Sequence, residues 1–77
     1  MNEARRKILQ KVSEGISLIL PLLESAYEDE KDAFENMPEG LQASERGEQA
    51  QTAIDVLSDA VNSLNETRDK VDEALGV

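Results

Sequence analysis

The side chains of this sequence that could do chemistry are its carboxylates, and their spacing is that of a helix face. Glu24 and Glu28 lie one helical turn apart, as do Asp55 and Asp59. Di-iron bundles combine such carboxylates with Glu-x-x-His motifs, and this chain has no His. A calcium loop needs alternating oxygen ligands around a glycine, which Glu28-Asp29-Glu30-Lys31-Asp32 lacks. Glu45-x-x-Glu48 and Glu66-x-x-Asp69 could share a magnesium ion only if they came from facing helices. Both fall on one predicted helix, about 30 Å apart at the rise of an α-helix. Ser13, Ser17, Ser25, Ser44, Ser58 and Ser63 have no His to activate them and no Gly-rich elbow. Lys31 sits among five acids and is not a desolvated amine. These residues predict no catalytic residue, no metal ligand and no cofactor, hence a non-enzymatic protein.

The remaining composition narrows the partners. Seventeen acidic residues stand against 8 basic ones, a net charge of −9. Residues 24–77 carry 15 of the acids and 4 of the bases, a net of −11, while residues 1–23 carry +2. Such a surface repels phosphate, so no direct nucleic-acid binding is expected. Tyr27 and Phe34 are the only aromatics, too few for a base-stacking platform. The absence of Cys fits a reducing compartment, and a cytoplasmic location is expected. Arg5, Arg6 and Lys7 before the apolar run Ile16 to Leu23 mimic a signal peptide. Pro21 interrupts that run and Glu24 ends it, which argues against secretion. The run also falls short of the ~18 residues that suggest a membrane span.

The elements that position these residues are helices. Asn2 can cap a helix running from about residue 2 to 36. Leu9, Val12, Ile16, Ile19, Leu23 and Ala26 recur at spacings of three and four, a helix stripe. Leu20, Tyr27 and Phe34 follow its edge, and Leu18 and Leu22 lie outside it, so Ile16 to Leu23 is apolar nearly all round. Pro21 removes one backbone hydrogen bond and crowds the Ser17 carbonyl. The stripe stays in phase across it, which predicts a kink; two helices meeting at Pro21 is the alternative. A turn is expected over 36–44. Pro38 drives Met37 out of the helical region and Gly40 gives a permissive backbone, with room for a short helical turn near Leu41 to Ala43. Ser44 should cap a second helix over about 45–75. Its seam is Ala50, Ile54, Leu57, Val61, Leu64, Arg68, Val71 and Leu75, a heptad pattern, and Gly76 should end it as a C-cap glycine.

Two matched helices joined by a short turn should lie antiparallel. Arg5, Arg6, Lys7 and Lys11 at one helix N-terminus would then neutralise Glu66, Asp69, Asp72 and Glu73 at the other's C-terminus, each cluster being misplaced for its own dipole. Folding at Gly40 sets Phe34 over Gly47 and Ala50, large against small. It also brings Arg68 near Glu14, either as a pair that fixes register at some cost or as a binding residue. The expected fold is all-α: residues 1–77 form one long antiparallel two-helix hairpin. Two helices make a thin core. The excess apolar surface predicts a homodimer forming a four-helix bundle, with Ile16, Leu18, Ile19, Leu22 and Leu23 at the interface. A rival expectation is an acidic DNA mimic that inhibits a host DNA-binding or defence protein, a basic partner.

Ala33-Phe34-Glu35-Asn36-Met37-Pro38-Glu39-Gly40-Leu41-Gln42-Ala43-Ser44-Glu45-Arg46-Gly47-Glu48, with Ala53-Ile54-Asp55 downstream, resembles a pattern of short, uncharacterised bacterial and phage (prophage) helical proteins. Their motif runs A-F-[DE]-N-[LM]-P-E-x-L-Q-x-S-E-R-G-E. The resemblance covers about residues 26–64; residues 1–25 do not match closely. It implies a mobile-element origin and a bacterial or phage-infected cell, and it implies no activity. As a fold signature, Phe34 plugs the hairpin end, Pro38 turns the chain, Ser44 caps and Gly47 admits close approach. As a recognition surface, the motif would present Glu39, Gln42, Glu45, Arg46 and Glu48.

Overall fold

A computed structural model describes all residues, Met1–Val77. It contains three helices and no strand: α1 (Glu3–Glu35), α2 (Glu39–Gln42) and α3 (Glu45–Leu75). The two long helices pack as an antiparallel hairpin 58 × 15 × 13 Å across, a rod one helix pair thick.

The helix ends are set by the residues expected to set them. The Asn2 side chain accepts from the Arg5 N–H at 2.9 Å, leaving the first turn of α1 capped. Ser44 caps α3: its hydroxyl accepts from the Gly47 N–H at 3.4 Å and donates to the Leu41 carbonyl. Pro38 precedes α2, whose start accepts from the Leu41 and Gln42 N–H groups at the Pro38 carbonyl. α1 runs unbroken through Pro21. Pro21 and Ser17 both lie on the exposed side of α1, where a carbonyl that has lost its helical donor can turn to water.

Gly76 ends α3 as its C-cap, as expected, whereas Gly40 stands in a helical turn and not in a loop. Neither Gly40 nor Gly76 adopts a positive φ. Gly40 lies within α2, and Gly76 closes α3 at φ −82°, ψ −5°, so neither position uses the left-handed freedom that a turn or C-cap glycine normally supplies. The turn instead relies on Pro38 to start a new helical turn and on Asn36 and Ala43 to end the turns on either side.

The seam of α3 is the expected one. Ala50 and Ile54 are buried, and Leu57, Val61, Leu64, Arg68, Val71 and Leu75 are half-buried. The seam of α1 is rotated from the expected stripe. Its shielded residues are Leu9, Ser13, Ile16, Leu20, Leu23, Tyr27, Glu30 and Phe34, whereas Val12, Ile19 and Ala26 are exposed. The expected stripe and the observed seam share Leu9, Ile16 and Leu23. They differ in whether Val12, Ile19 and Ala26 or Ser13, Leu20, Tyr27 and Phe34 complete the pattern. The second set carries the larger side chains, and apolar area removed from water decides between the two. Ser13 and Glu30 are the polar residues accepted in return.

The antiparallel pairing is held at its open end by polar contacts other than the expected ion pairs. Arg6 donates to the Leu75 carbonyl and, at 3.4 Å, to that of Val77. A guanidinium thus meets the unpaired carbonyls at a helix C-terminus, where positive charge is favoured. Ser13 donates to Asp72 at 2.6 Å across the helices. Arg68 does not reach Glu14. It donates to Asn65 at 3.1 Å and lies 3.8 Å from Asp69 on its own helix, a loose pair of little energetic weight.

At the closed end, α2 tucks against the start of α3. A Cβ built on Gly47 would lie 2.5 Å from both the Gln42 carbonyl carbon and the Leu41 oxygen, and closer still to the Gln42 oxygen. Gly47 is therefore demanded by the backbone of α2. Gly40 has open space around its missing side chain. Gly47→Ala should cost about 1–3 kcal/mol, the cost of overpacking a tight site. Gly40→Ala should stabilise by about 0.4–1 kcal/mol, because it removes unfolded-state freedom at a compatible helical φ. Thermal unfolding followed by circular dichroism should show the two midpoints moving in opposite directions.

Candidate functional site

The helix geometry divides the hairpin surface into unlike sides. In α1 the seam occupies heptad positions a (Ser13, Leu20, Tyr27, Phe34) and d (Leu9, Ile16, Leu23, Glu30). The next stripe round the helix occupies positions c and g: Ile8, Val12, Gly15, Ile19, Leu22 and Ala26. It is apolar over five turns, and all of its residues are exposed except the half-buried Gly15. Ile8 is 60% exposed, Val12 41%, Ile19 52% and Leu22 71%, with Leu18 beside them at 76%. Gly15, in the middle of the stripe, has no atom within 4 Å of where a Cβ would be. Isolated exposed hydrophobes are ordinary on a soluble protein, but a contiguous row is a mark of an interaction site.

In an antiparallel pair, equal heptad positions flank the seam on the same side. The bond from Ser13 at position a to Asp72 at position e fits this, since a borders e around the wheel. The g residues of α3 consequently run beside the g residues of α1. They are Ala53, Ala60, Thr67 and Ala74, and all three alanines are half-buried. The apolar ridge of α1 thus adjoins a low, small-residue strip on α3. The opposite flank is polar on both helices: Gln10, Ser17, Glu24 and Lys31 on α1; Gln51, Ser58, Asn65 and Asp72 on α3.

Of the expected interface residues, Leu18, Ile19 and Leu22 lie on this exposed side. Ile16 is buried in the hairpin core and Leu23 is half-buried in the seam. Ile8 and Val12 belong to the stripe and were not among the expected residues. Their signal in the sequence was a second three-four spacing beginning at Ile8, hidden because Val12, Ile19 and Ala26 also complete the expected stripe.

The expected recognition residues around the turn divide as well. Glu39, Glu45, Arg46 and Glu48 are exposed, whereas Gln42 is half-buried and donates to the Phe34 carbonyl at 3.0 Å. That bond adds a second donor to a carbonyl in the last turn of α1, which also accepts from the Met37 N–H at 3.1 Å. Glu45 and Glu48 line a shallow, open depression with Gln49 and Thr52. None of its four lining residues is hydrophobic, unlike the apolar clefts that hold small molecules. Nowhere do three acidic side chains gather closely enough to hold a metal ion, and no helix is long and apolar enough to cross a membrane.

The fold places the chain among all-helical hairpins, the class its packing defines. Compared with known protein families, with curated proteins and with solved structures, it matches none.

Gln42→Ala should lower stability by about 1 kcal/mol, the net worth of a typical hydrogen bond, and detach α2. Arg46→Ala and Glu48→Ala should stay within about 0.5 kcal/mol of the parent, as surface changes do. Urea unfolding of the three variants checks this, and loss of stability in all three would contradict it.

Proposed function

We propose that this protein is a non-enzymatic, acidic helical hairpin that acts through protein–protein contacts and assembles as a homodimer, a four-helix bundle. The observation that carries the proposal is the uncovered apolar stripe from Ile8 to Ala26. Its magnitude supports a partner. The chain exposes 5552 Å², whereas a compact monomer of 8.5 kDa would expose about 4,650 Å². The difference, about 900 Å², compares with the ~800 Å² that each partner buries in a standard protein interface. The hairpin core gives the same indication: only Ile16, Leu20, Ala50 and Ile54 fall in the buried class among apolar residues, and no side chain is fully sealed. A small domain usually needs more burial than this.

A cytoplasmic site of action in a bacterial or phage-infected cell, with a mobile-element origin, belongs to the same proposal. The resemblance of residues 26–64 to short bacterial and prophage helical proteins supports it. A second reading, mimicry of DNA toward a basic host protein, draws on the 58 Å rod and on the carboxylates spread over its outer face. In the dimer that face stays free, so the two readings are compatible. Mimicry predicts salt-sensitive binding to a DNA-binding protein and loss of that protein's DNA binding on titration with the hairpin.

Sedimentation equilibrium at micromolar concentration should give twice the mass of the chain. Ile19→Lys and Leu22→Lys should each give a helical monomer, because both side chains stand outside the hairpin core. A parent protein that sediments as a monomer over this range removes the proposal.

A further inference from the structure

The stripe also specifies how two copies meet. Resting on the homodimer proposed above, we infer that α1 of one copy packs antiparallel on α1 of a second, with the two-fold axis at the height of Ser17.

Three observations lead to this arrangement. The first is size. Helices pack when large side chains enter the gaps left by small ones. With the axis at Ser17, Ile19 of each copy lies over Gly15 of the other, and Ile8 lies over Ala26. Val12 then faces Leu22. Gly15 is the one position in the stripe that leaves the helix backbone bare, and nothing in the hairpin occupies that space. A register slid by seven residues, about two turns, with Val12 over Gly15, would set Ile19 against Ile8 and Arg5 against Leu22, large against large and charge against apolar.

Leu18 provides the second observation. It is the most exposed leucine of the chain at 76%, and it lies at position f, just outside the stripe. At an antiparallel interface the flanking positions pair with their own equivalents. With the axis at Ser17, Leu18 meets Leu18 of the second copy beside the axis. The same flank pairs Lys11 with Ser25 and Ala4 with Asp32. Leu18 therefore finds apolar company in this register and a charged neighbour, Lys11, in the other.

Charge is the third. Arg5, Lys7 and Lys11 are exposed at one end of α1, and Glu24, Glu28, Asp29 and Asp32 at the other. A parallel pairing would set each cluster against its own copy, and like charges placed opposite one another are unfavourable. The antiparallel pairing sets Arg5 against Asp29 at each end of the stripe. The direction of the pairing is thus fixed by electrostatics and its register by side-chain size.

The chain has no cysteine, so single spin labels can be attached at Lys11→Cys or at Asp32→Cys. Both sites lie on exposed residues outside the stripe. At a rise of 1.5 Å per residue and a helix separation near 10 Å, the antiparallel dimer places the two labels about 20 Å apart for residue 11 and about 45 Å apart for residue 32. Dipolar spectroscopy of the folded dimer should give that short and long pair of distances. Two short distances would show parallel pairing, and a long distance at residue 11 would place the interface elsewhere. Either result overturns the inference while leaving the homodimer in place. A labelled protein that sediments as a monomer, like its unlabelled parent, overturns both. Charge reversal offers an independent check: Arg5→Asp and Asp29→Arg should each weaken the dimer several-fold, and the double variant should recover most of the loss. Failure of the double variant to recover would contradict the register.

Discussion

A layer of two helices can bury one stripe on each helix, and α1 has two. This constraint governs the rest of the molecule. α3 has a single apolar seam with a small-residue flank, so its remaining surface can be acidic and solvated. α1 has an inner stripe that meets α3 and an outer stripe, Ile8 to Ala26, turned about a quarter of the way round the helix. An angle of that order between two neighbours is what a helix at the corner of a four-helix bundle experiences. In the proposed homodimer the single hairpin is half of a four-helix packing unit. Its thin core and its exposed row of Ile, Val and Leu are two consequences of the same geometry.

The hairpin is closed at its two ends by different means. At the open end, Arg6 supplies donors to the terminal carbonyls of α3 and Ser13 ties Asp72 to the seam. At the closed end, the single turn α2 folds back so that its carbonyls occupy the side-chain space of Gly47. Gln42 ties α2 to the last turn of α1, and Ser44 starts α3. Phe34, Pro38, Gln42, Ser44 and Gly47 each have a structural task within a few residues of one another. The conspicuous sequence pattern at this corner is therefore largely an instruction for making the corner. Glu39, Glu45, Arg46 and Glu48 have no such task and remain available to a partner.

Much of the fold was legible in the sequence. Periodicity located both long helices, Asn2 and Ser44 marked their starts, and the seam of α3 could be read residue by residue because only one apolar spacing runs through it. The seam of α1 was not legible in the same way. The expected stripe and the observed seam share Leu9, Ile16 and Leu23, and period alone does not say which neighbours complete the set. The choice falls to the packing of Leu20, Tyr27 and Phe34 against α3, a tertiary matter. The same ambiguity assigned Ile16 and Leu23 to the outer surface and omitted Ile8 and Val12 from it. Charge gave the correct antiparallel direction through the wrong contacts: opposite clusters do lie at one end, but backbone carbonyls, not carboxylates, take the Arg6 hydrogen bonds. Glycine marked the end of α3 at Gly76, was misleading at Gly40, where the backbone is helical, and was informative at Gly47, where the backbone of α2 fills the side-chain space.

The central claim is that the outer stripe of α1 is covered in the folded protein by a second copy of the chain. If so, folding and association are one equilibrium, and stability depends on concentration. The most direct measurement is the thermal midpoint over a hundredfold range of protein concentration, followed by circular dichroism. A hundredfold change in concentration is worth about 2.7 kcal/mol. For a dimer of this size it should raise the midpoint by about 5–10 °C. A midpoint that does not move over that range would mean that the hairpin folds alone and that its outer stripe stays bare.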